Sequence, residues 1–221
     1  MSCLVLRCGD VPVPIAMASM PTSVAAAAAP GDNEIDQALA LAVADLPQRI
    51  IVLGHDAALA AVLTRMLRTE RLEVEIGYVP VEKSPAARVL ETGTGAEAAK
   101  LAMDGSPAKT PLIRDETGTV LVGRAVITGI DGEKLIGEGY VDNDQLFSGK
   151  VREVHVETGL HRPGLMAWAV RGQLRRPKWV PGRAVQIGAE AALVDRDGIT
   201  DEKTVRRVTF YRHEVPWLLV Q

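Results

Sequence analysis

Cysteine and aromatic residues are scarce in this chain of 221 residues, which has two cysteines, two phenylalanines, three tryptophans and three tyrosines. So few large aromatic side chains leave the core to valine, leucine, isoleucine and alanine. Cys3 and Cys8 are five positions apart in a predicted strand, so they lie on opposite faces and are not expected to form a disulfide. No further cysteine is present to complete a metal site, and this cysteine content fits a reducing cytoplasm.

The sequence also has no long, unbroken apolar run. Residues 11–31 contain no charged residue, but Pro12, Pro14 and Pro21 interrupt them, and their second half is rich in alanine. A secretory signal needs a basic start and a continuous apolar stretch, and a membrane-spanning helix needs about 20 strongly apolar residues. The segment therefore predicts a mobile loop.

No excess of one charge characterises the whole chain, because its formal net charge is −3. This balance argues against a general affinity for nucleic acid. Residues 145–183 are an exception, with eight basic and two acidic residues. The cations of 171–183 cluster around Trp168 and Trp179, which is typical of a lipid or anionic membrane surface, of a nucleic-acid contact, or of a solvated β surface whose tryptophans pack inward. The residues concerned are Arg171, Arg175, Arg176, Lys178, Arg183, Trp168 and Trp179.

Short apolar runs alternate with amphipathic segments in residues 1–110. Strands are predicted at 3–7, 49–53 and 72–79, helices at 33–46, 57–69 and 95–103, and a helical turn at 85–91. Pro47 is expected to end the first helix. This order predicts an α/β layer with a parallel sheet, in which ligands bind at the carboxyl ends of strands. Those ends are residues 54–58 and 80–87.

The pattern changes after about residue 110 to short alternating segments divided by Gly, Pro and Asp. It predicts an all-β sandwich domain over 111–221. The last strand, at residues 217–220, could belong to either domain. The other strands are predicted at residues 119–128, 134–141, 150–157, 165–171, 184–194 and 206–211.

A turn with the sequence Gly54-His55-Asp56 follows the most apolar strand. Together with the order of the two halves, it resembles the diacylglycerol kinase-like family, whose architecture is shared with the NAD kinases. The resemblance spans nearly the whole chain. The family has Gly-Gly-Asp-Gly-Thr in this turn, where glycines let the backbone approach ATP phosphates. Gly54 and Asp56 match, while His55, Ala57 and Ala58 replace the second Gly, the third Gly and the Thr.

A second family motif, Pro-Leu-Gly-Thr-x-Asn-Asp-x-Ala-Arg, corresponds to residues 80–88 if one residue is deleted. Pro80, Ala87 and Arg88 match, whereas Glu82 places a negative charge where the nucleotide should lie and Lys83 could offset it. The resemblance implies that ATP and Mg²⁺ are the cofactors. The residues that it assigns to nucleotide binding are Gly54, His55, Asp56, Lys83, Ser84 and Arg88.

Two acidic turns in the second half complete the resemblance. Asp142 and Asp144 resemble an Asp-Asp-Gly-x-Leu run of the family and are candidate ligands that order Mg²⁺. Near the C-terminus the family has Asp-Gly-Glu, and here Ile199 replaces the Glu, which leaves Asp195 and Asp197 as candidate catalytic carboxylates. Each of these acidic pairs is equally typical of a turn between strands.

Other catalytic signals are weak. There is no Gly-x-x-x-x-Gly-Lys-Ser/Thr loop, no Gly-x-Ser-x-Gly motif, and no metal-ligand spacing among the four histidines. Residues 92–95, Thr-Gly-Thr-Gly, favour a helix cap over a phosphate loop.

The simultaneous changes at Ala57, Ala58, Glu82 and Ile199 each remove a group that a kinase needs. We therefore expect a non-catalytic relative that binds a ligand or a partner. The alternative is an active ATP-dependent lipid kinase that phosphorylates a lipid hydroxyl. The resemblance also implies a homodimer, in the cytoplasm or peripheral to the membrane.

Overall fold

The computed structural model describes residues 3–25, 27–44, 49–172 and 176–221, and it forms two compact units. The first unit runs to Thr110 and includes Val215–Gln221, and the second is Pro111–Glu214. The expected second domain extended to residue 221, whereas the last strand lies in the sheet of the first unit. Within the described residues, no helix has both the length and the apolar character that crossing a membrane requires.

The first unit is a six-stranded sheet with helices, numbered here along the chain. The strands are β1 (Cys3–Cys8), β2 (Thr22–Ala25), β3 (Arg49–Gly54), β4 (Glu75–Pro80), β5 (Pro107–Thr110) and β17 (Trp217–Val220); the helices are α1 (Asp32–Ala44), α2 (Asp56–Arg68), α3 (Pro85–Val89) and α4 (Gly95–Asp104). The sheet order is β2-β1-β3-β4-β17-β5, and among these strands β5 alone runs antiparallel to its neighbour. The predicted α/β layer with a largely parallel sheet is confirmed.

Burial explains why β3 lies at the centre of this sheet. All six of its residues are buried, as expected of a parallel strand that is covered on both faces. The amphipathic helix α2 buries Leu59, Val62, Leu63 and Met66 on one side. Helix α4 packs closely on β4, because a Cβ at Gly77 would be 2.8 Å from that of Ala102.

Residues 11–31 contain more regular structure than a mobile loop. A 3-10 helix occupies Ile15–Met17, and β2 pairs in parallel with β1. The prediction of a loop is wrong for these residues, since the edge of β1 offers backbone partners and the Met17 side chain is fully buried. The predicted end of the first helix at Pro47 lies outside the described residues.

A buried arginine joins three elements of the first unit. Arg49, at the start of β3, is 2% exposed. Its guanidinium donates to the Glu75 carboxylate on β4 and to the carbonyl oxygens of Ala102, Met103 and Gly105 at the end of α4. A cation is favourable at a helix C-terminus, where the carbonyl groups have no partners within the helix.

The second unit is antiparallel. Its strands are β6 (Ile113–Asp115), β7 (Val120–Leu121), β8 (Arg124–Thr128), β9 (Leu135–Val141), β10 (Asp144–Val151), β11 (Glu153–Thr158), β12 (Leu165–Val170), β13 (Val180–Gly182), β14 (Ala184–Arg196), β15 (Ile199–Thr200) and β16 (Val205–Arg212). A 3-10 helix at Ile130–Gly132 precedes β9. The unit confirms the predicted all-β region.

The long strand β14 links two groups of strands in this unit. Its first half pairs with β9 and β16, and its second half pairs with β8, with a register shift between Gly188 and Ala192. Both groups contribute side chains to one core cluster, which includes Phe147, Val156 and Phe210. Strand β14 is therefore shared by the two sides of a sandwich.

We predict a pH-dependent stability contribution from His213, which follows β16. Burial and the nearby Arg114 guanidinium lower the pKa of His213 below its usual 6.5, and Arg114 Nε donates to its Nδ1 at 3.4 Å. The unfolded chain therefore binds a proton more readily, so this stability is fully present above pH 6.5 and is lost as the pH falls through the lowered pKa. Urea unfolding at several pH values should show a smaller loss of stability below pH 6.5 for His213→Gln.

His161 is the matched control, because it is an exposed histidine in the same unit. His161→Gln should keep the pH dependence of the native chain. If the stability of the native chain and of His213→Gln falls equally with pH below pH 6.5, His213 does not contribute to the pH dependence.

Candidate functional site

The turns after β3 and β4 lie side by side at the carboxyl edge of the sheet. Gly54 and Pro80, the last residues of these strands, are partners in the sheet register. His55 is exposed and precedes α2, which begins at Asp56. A Cβ at Gly54 would be 3.0 Å from the Ala58 methyl carbon, so this close packing explains the glycine.

The Asp56 carboxylate links these two turns. Its Oδ1 accepts hydrogen bonds from the Tyr78 hydroxyl at 2.8 Å and from Ser84 Oγ at 2.5 Å, and its Oδ2 accepts from the Ala86 backbone N–H at 3.0 Å. Asp56 is only 5% exposed. Three donors from β4 and the start of α3 therefore surround a carboxylate carried by α2.

Ser84 takes part in this arrangement as the N-cap of α3. Its Oγ accepts from the Ala87 N–H at 3.1 Å while its hydroxyl proton goes to Asp56. Pro85 follows in the first turn of the helix, where a missing N–H costs nothing. The role of Ser84 in the structure is thus to fix the start of α3 against Asp56.

A cleft of about 540 Å³ opens next to Ser84. Its two cationic residues, Lys83 and Arg88, are both exposed. On its other side is Glu97, whose Oε2 lies so near Gly93 that a Cβ there would be 2.8 Å away. The cleft can therefore hold an anionic group near Lys83, with a carboxylate nearby. Its lining residues are Lys83, Ser84, Pro85, Ala87, Arg88, Gly93, Thr94 and Glu97.

The Thr-Gly-Thr-Gly run at residues 92–95 forms the turn into α4. Gly93 and Gly95 have φ values of 69° and 60°, in the left-handed region that favours glycine. Thr94 occupies the N-cap position, although its side chain makes no capping hydrogen bond. The run is a helix start, and its glycine backbone lies at the wall of the cleft.

The candidate magnesium ligands lie in the hairpin between β9 and β10. Asp142 has a φ of 49°, and its carboxylate accepts from the backbone N–H groups of Arg183 and Ala184 at 2.9 to 3.1 Å. Asp144 begins β10 and is exposed. Within the described ranges, no three His, Cys, Asp or Glu residues come together as metal ligands. The groups that contact the Asp142 carboxylate are backbone N–H groups, whereas a Mg²⁺ ion needs oxygen ligands, so the residues present do not fit this ion.

The candidate catalytic carboxylates lie in the hairpin between β14 and β15. Asp197 is 8% exposed, with a φ of 51°, and accepts from the N–H groups of Val122, Gly123 and Arg124 at 2.8 to 3.1 Å. Asp195 accepts from the Gly198 N–H and the Thr200 hydroxyl. Both carboxylates thus hold the hairpin and its neighbouring segment together.

The pair Asp142 and Asp144 lies far from the pair Asp195 and Asp197 within the second unit. Asp142 bonds to the residues at the start of β14, while Asp195 and Asp197 lie at its end, and the strand has 13 residues. A strand advances about 3.3 Å per residue, so a single ion or phosphate cannot contact both pairs.

The sequence motifs do not point to Tyr78, whose hydroxyl donates to Asp56. Its side chain is 1% exposed, and a buried tyrosine hydroxyl needs a hydrogen-bond partner. A tyrosine two residues before the end of a buried strand was the available signal that a polar group lies at this edge.

Several solved structures share the fold of this chain, although no protein-family model and no curated protein sequence matches it. A diacylglycerol kinase from Bacillus anthracis str. Sterne is similar with a TM-score of 0.71 and 15% identity, over 99% of this chain and 96% of that one. An NAD kinase from Archaeoglobus fulgidus in complex with ATP is similar with a TM-score of 0.62 and 14% identity, over 100% and 94%. A yeast NADH kinase complexed with NADH has a TM-score of 0.59 at 8% identity, over 100% and 83%.

These similarities define the class of fold. The chain has the two-part fold of diacylglycerol kinases and NAD kinases, as the motifs in its sequence predicted. At these identities the comparison establishes the fold and leaves the activity to be argued from the residues of the site.

Proposed function

We propose that this chain is a non-catalytic relative of the kinases whose fold it shares, and that the cleft beside α3 binds the phosphate of a nucleotide-like ligand. The Asp56 carboxylate is the observation on which this proposal rests. A carboxylate that assists phosphoryl transfer must face a metal ion, a phosphate or the attacking hydroxyl. Asp56 instead faces the donors of Tyr78, Ser84 and Ala86.

The other carboxylates support the same proposal. Asp142 and Asp197 accept hydrogen bonds from backbone N–H groups, and Ile199, where the family has Glu, is 51% exposed and has no acid–base chemistry. Ala58 provides a buried methyl group where the family has a Thr hydroxyl. At each of these four positions the group that a kinase needs is therefore either missing or engaged in the fold.

Ligand binding is supported by the cleft and its cations. Lys83 and Arg88 offer positive charge beside the α3 turn, and one structure with this fold was solved with ATP. ATP is therefore the ligand with which the proposal is best tested.

Calorimetry of the full chain with ATP, with and without Mg²⁺, should detect binding that does not require the metal. Lys83→Ala should weaken this binding by about tenfold, because a charged hydrogen bond to phosphate is lost. Lys100→Ala is the matched control, an exposed lysine on α4 outside the cleft, and should leave the affinity unchanged. No binding by the native chain, or equal losses in both variants, would contradict the proposed site.

An active lipid kinase is the second candidate, favoured by Gly54 and Asp56 at the family's positions. It requires transfer of the γ-phosphate of ATP to a lipid hydroxyl. Incubation with radiolabelled ATP and diacylglycerol should give no labelled lipid if the first proposal is right. Labelled lipid that disappears with Asp56→Asn would establish the second.

A further inference from the structure

A row of three aromatic rings lies on the outer face of the second unit. Residues of β11 and β12 alternate between the core cluster and the opposite face, and the paired residues His155 and Trp168 are on the face away from the core. The ring centroids of His155 and Trp168 are 5.5 Å apart, and those of Trp168 and Trp179 are 5.9 Å apart. All three side chains are partly exposed, so these tryptophans do not pack into the core.

The tryptophans keep their polar edges available. Neither indole N–H donates to an acceptor in the part of the chain that the structure describes, and neither is among its buried groups without a partner. Both N–H groups therefore reach solvent. A partly exposed indole with a free N–H is suited to a boundary between apolar material and water.

Exposed cations follow β12 along the chain. The segment 171–183 contains no acidic residue, and Arg176 and Lys178 are both exposed within three positions of Trp179. No ion pair involves either of them within the described ranges, which omit residues 173–175 and hence Arg175. Arg171 differs, because its guanidinium donates to the Leu146 carbonyl at 3.3 Å.

The carboxylates on this face are already engaged. Glu153 lies 2.9 Å from His155, and Glu157 is 4% exposed and bonded to Arg124. Neither of these two carboxylates is paired with Arg176 or Lys178. A surface of this kind attracts a flat array of negative charge.

We propose that the surface formed by Trp168, Trp179, Arg176 and Lys178 binds an anionic lipid membrane. The two indoles would lie at the level of the lipid headgroups, where tryptophan is favoured because it is apolar with one polar edge. Arg176 and Lys178 would contact the lipid phosphates, each strengthening binding about fivefold. Neither the two indoles nor the two cations line the cleft beside α3, so this proposal does not depend on ligand binding there.

The ring geometry favours a membrane over nucleic acid. The plane of the Trp168 ring is tilted by 53° to that of His155 and by 59° to that of Trp179, so the three rings do not form a parallel stack that a row of bases would continue. Duplex DNA is therefore the competing ligand in the test.

Vesicle flotation with the full chain tests the proposal. We expect binding to vesicles of phosphatidylcholine with about 30 mol% phosphatidylglycerol, and none to phosphatidylcholine alone, with a marked loss between about 0.05 and 0.5 M salt. Tryptophan emission should shift to shorter wavelength on binding, and the shift reports on Trp168 and Trp179, because Trp217 is 3% exposed.

Two matched charge reversals decide where the membrane binds. The double variant Arg176→Glu/Lys178→Glu should bind at least about 25-fold more weakly. The control variant Arg206→Glu/Arg207→Glu changes two exposed arginines of the same unit by the same charge, and its vesicle affinity should fall by less than about fivefold. Equal losses in both variants would overturn the proposal, as would tighter binding to duplex DNA than to the anionic vesicles.

A third variant tests the aromatic half. Trp179→Phe retains a ring but no indole N–H and should reduce vesicle binding while leaving the thermal unfolding midpoint within a few degrees of the native value. Unchanged vesicle affinity for Trp179→Phe would show that the aromatic row does not take part.

Discussion

Replacing Arg49 by methionine should destabilise the first unit by about 3–5 kcal/mol, because it leaves a partner carboxylate and helix carbonyls without their cation. Glu75 is paired with the guanidinium at 2.7 Å, and three carbonyl oxygens at the end of α4 also accept from it. The Met side chain fills similar volume, so the loss reports mainly on the charge and its hydrogen bonds.

Unfolding of the first unit can be followed separately. The chain has three tryptophans, and Trp217 lies in the first unit while the other two lie in the second. Urea unfolding of a Trp168→Phe/Trp179→Phe background therefore reports on the first unit through Trp217 emission.

Two further variants make the Arg49 result interpretable. Arg71→Met removes an exposed pair with Glu73 and should cost less than about 1 kcal/mol. Adding Glu75→Gln to Arg49→Met should recover part of the loss, since no half-buried carboxylate then remains without a partner. An Arg49→Met variant as stable as Arg71→Met would show that the buried network contributes little.

Asp197→Asn should destabilise the second unit by about 2–3 kcal/mol. Asparagine tolerates the positive φ at this position, so backbone strain does not explain the loss. The amide has only one acceptor oxygen and no charge for the three N–H groups of residues 122–124. Urea unfolding gives the stability, and hydrogen exchange of those three amides should become faster.

Asp195→Asn is the matched control in the same hairpin. Its carboxylate bonds only within the exposed β14–β15 turn, so the variant should lose less than about 1 kcal/mol. An Asp197→Asn variant that keeps its stability and its slow amide exchange would mean that Asp197 is free for another role.

Periodicity was sufficient to predict the central strands and the helices of the first unit. The continuous apolar run ending at Leu53 and the amphipathic pattern after it correspond to β3 and α2. Strand β2 was missed because Thr22–Ala25 is short and lies next to alanine-rich residues. Its pairing depends on the edge of β1, which local sequence does not reveal.

Candidate site residues were harder to interpret than the fold. Motif positions identified Asp56, Asp142 and Asp197, but a carboxylate looks the same in a sequence whether its partner is a metal ion or a backbone N–H. The partners come from distant positions: residues 78–86 for Asp56, 183–184 for Asp142 and 122–124 for Asp197. Only the tertiary structure shows which atoms each carboxylate meets.

Asp56→Asn tests the central claim most directly, because it changes the charge of one carboxylate and almost nothing of its shape. If Asp56 holds α2, β4 and α3 together, the variant should lose about 1–3 kcal/mol of stability, since the amide nitrogen or the lost charge disfavours at least one of its three donors. The native chain should bind ATP without transferring its phosphate. A variant as stable as the native chain, combined with phosphate transfer by the native chain alone, would contradict the account.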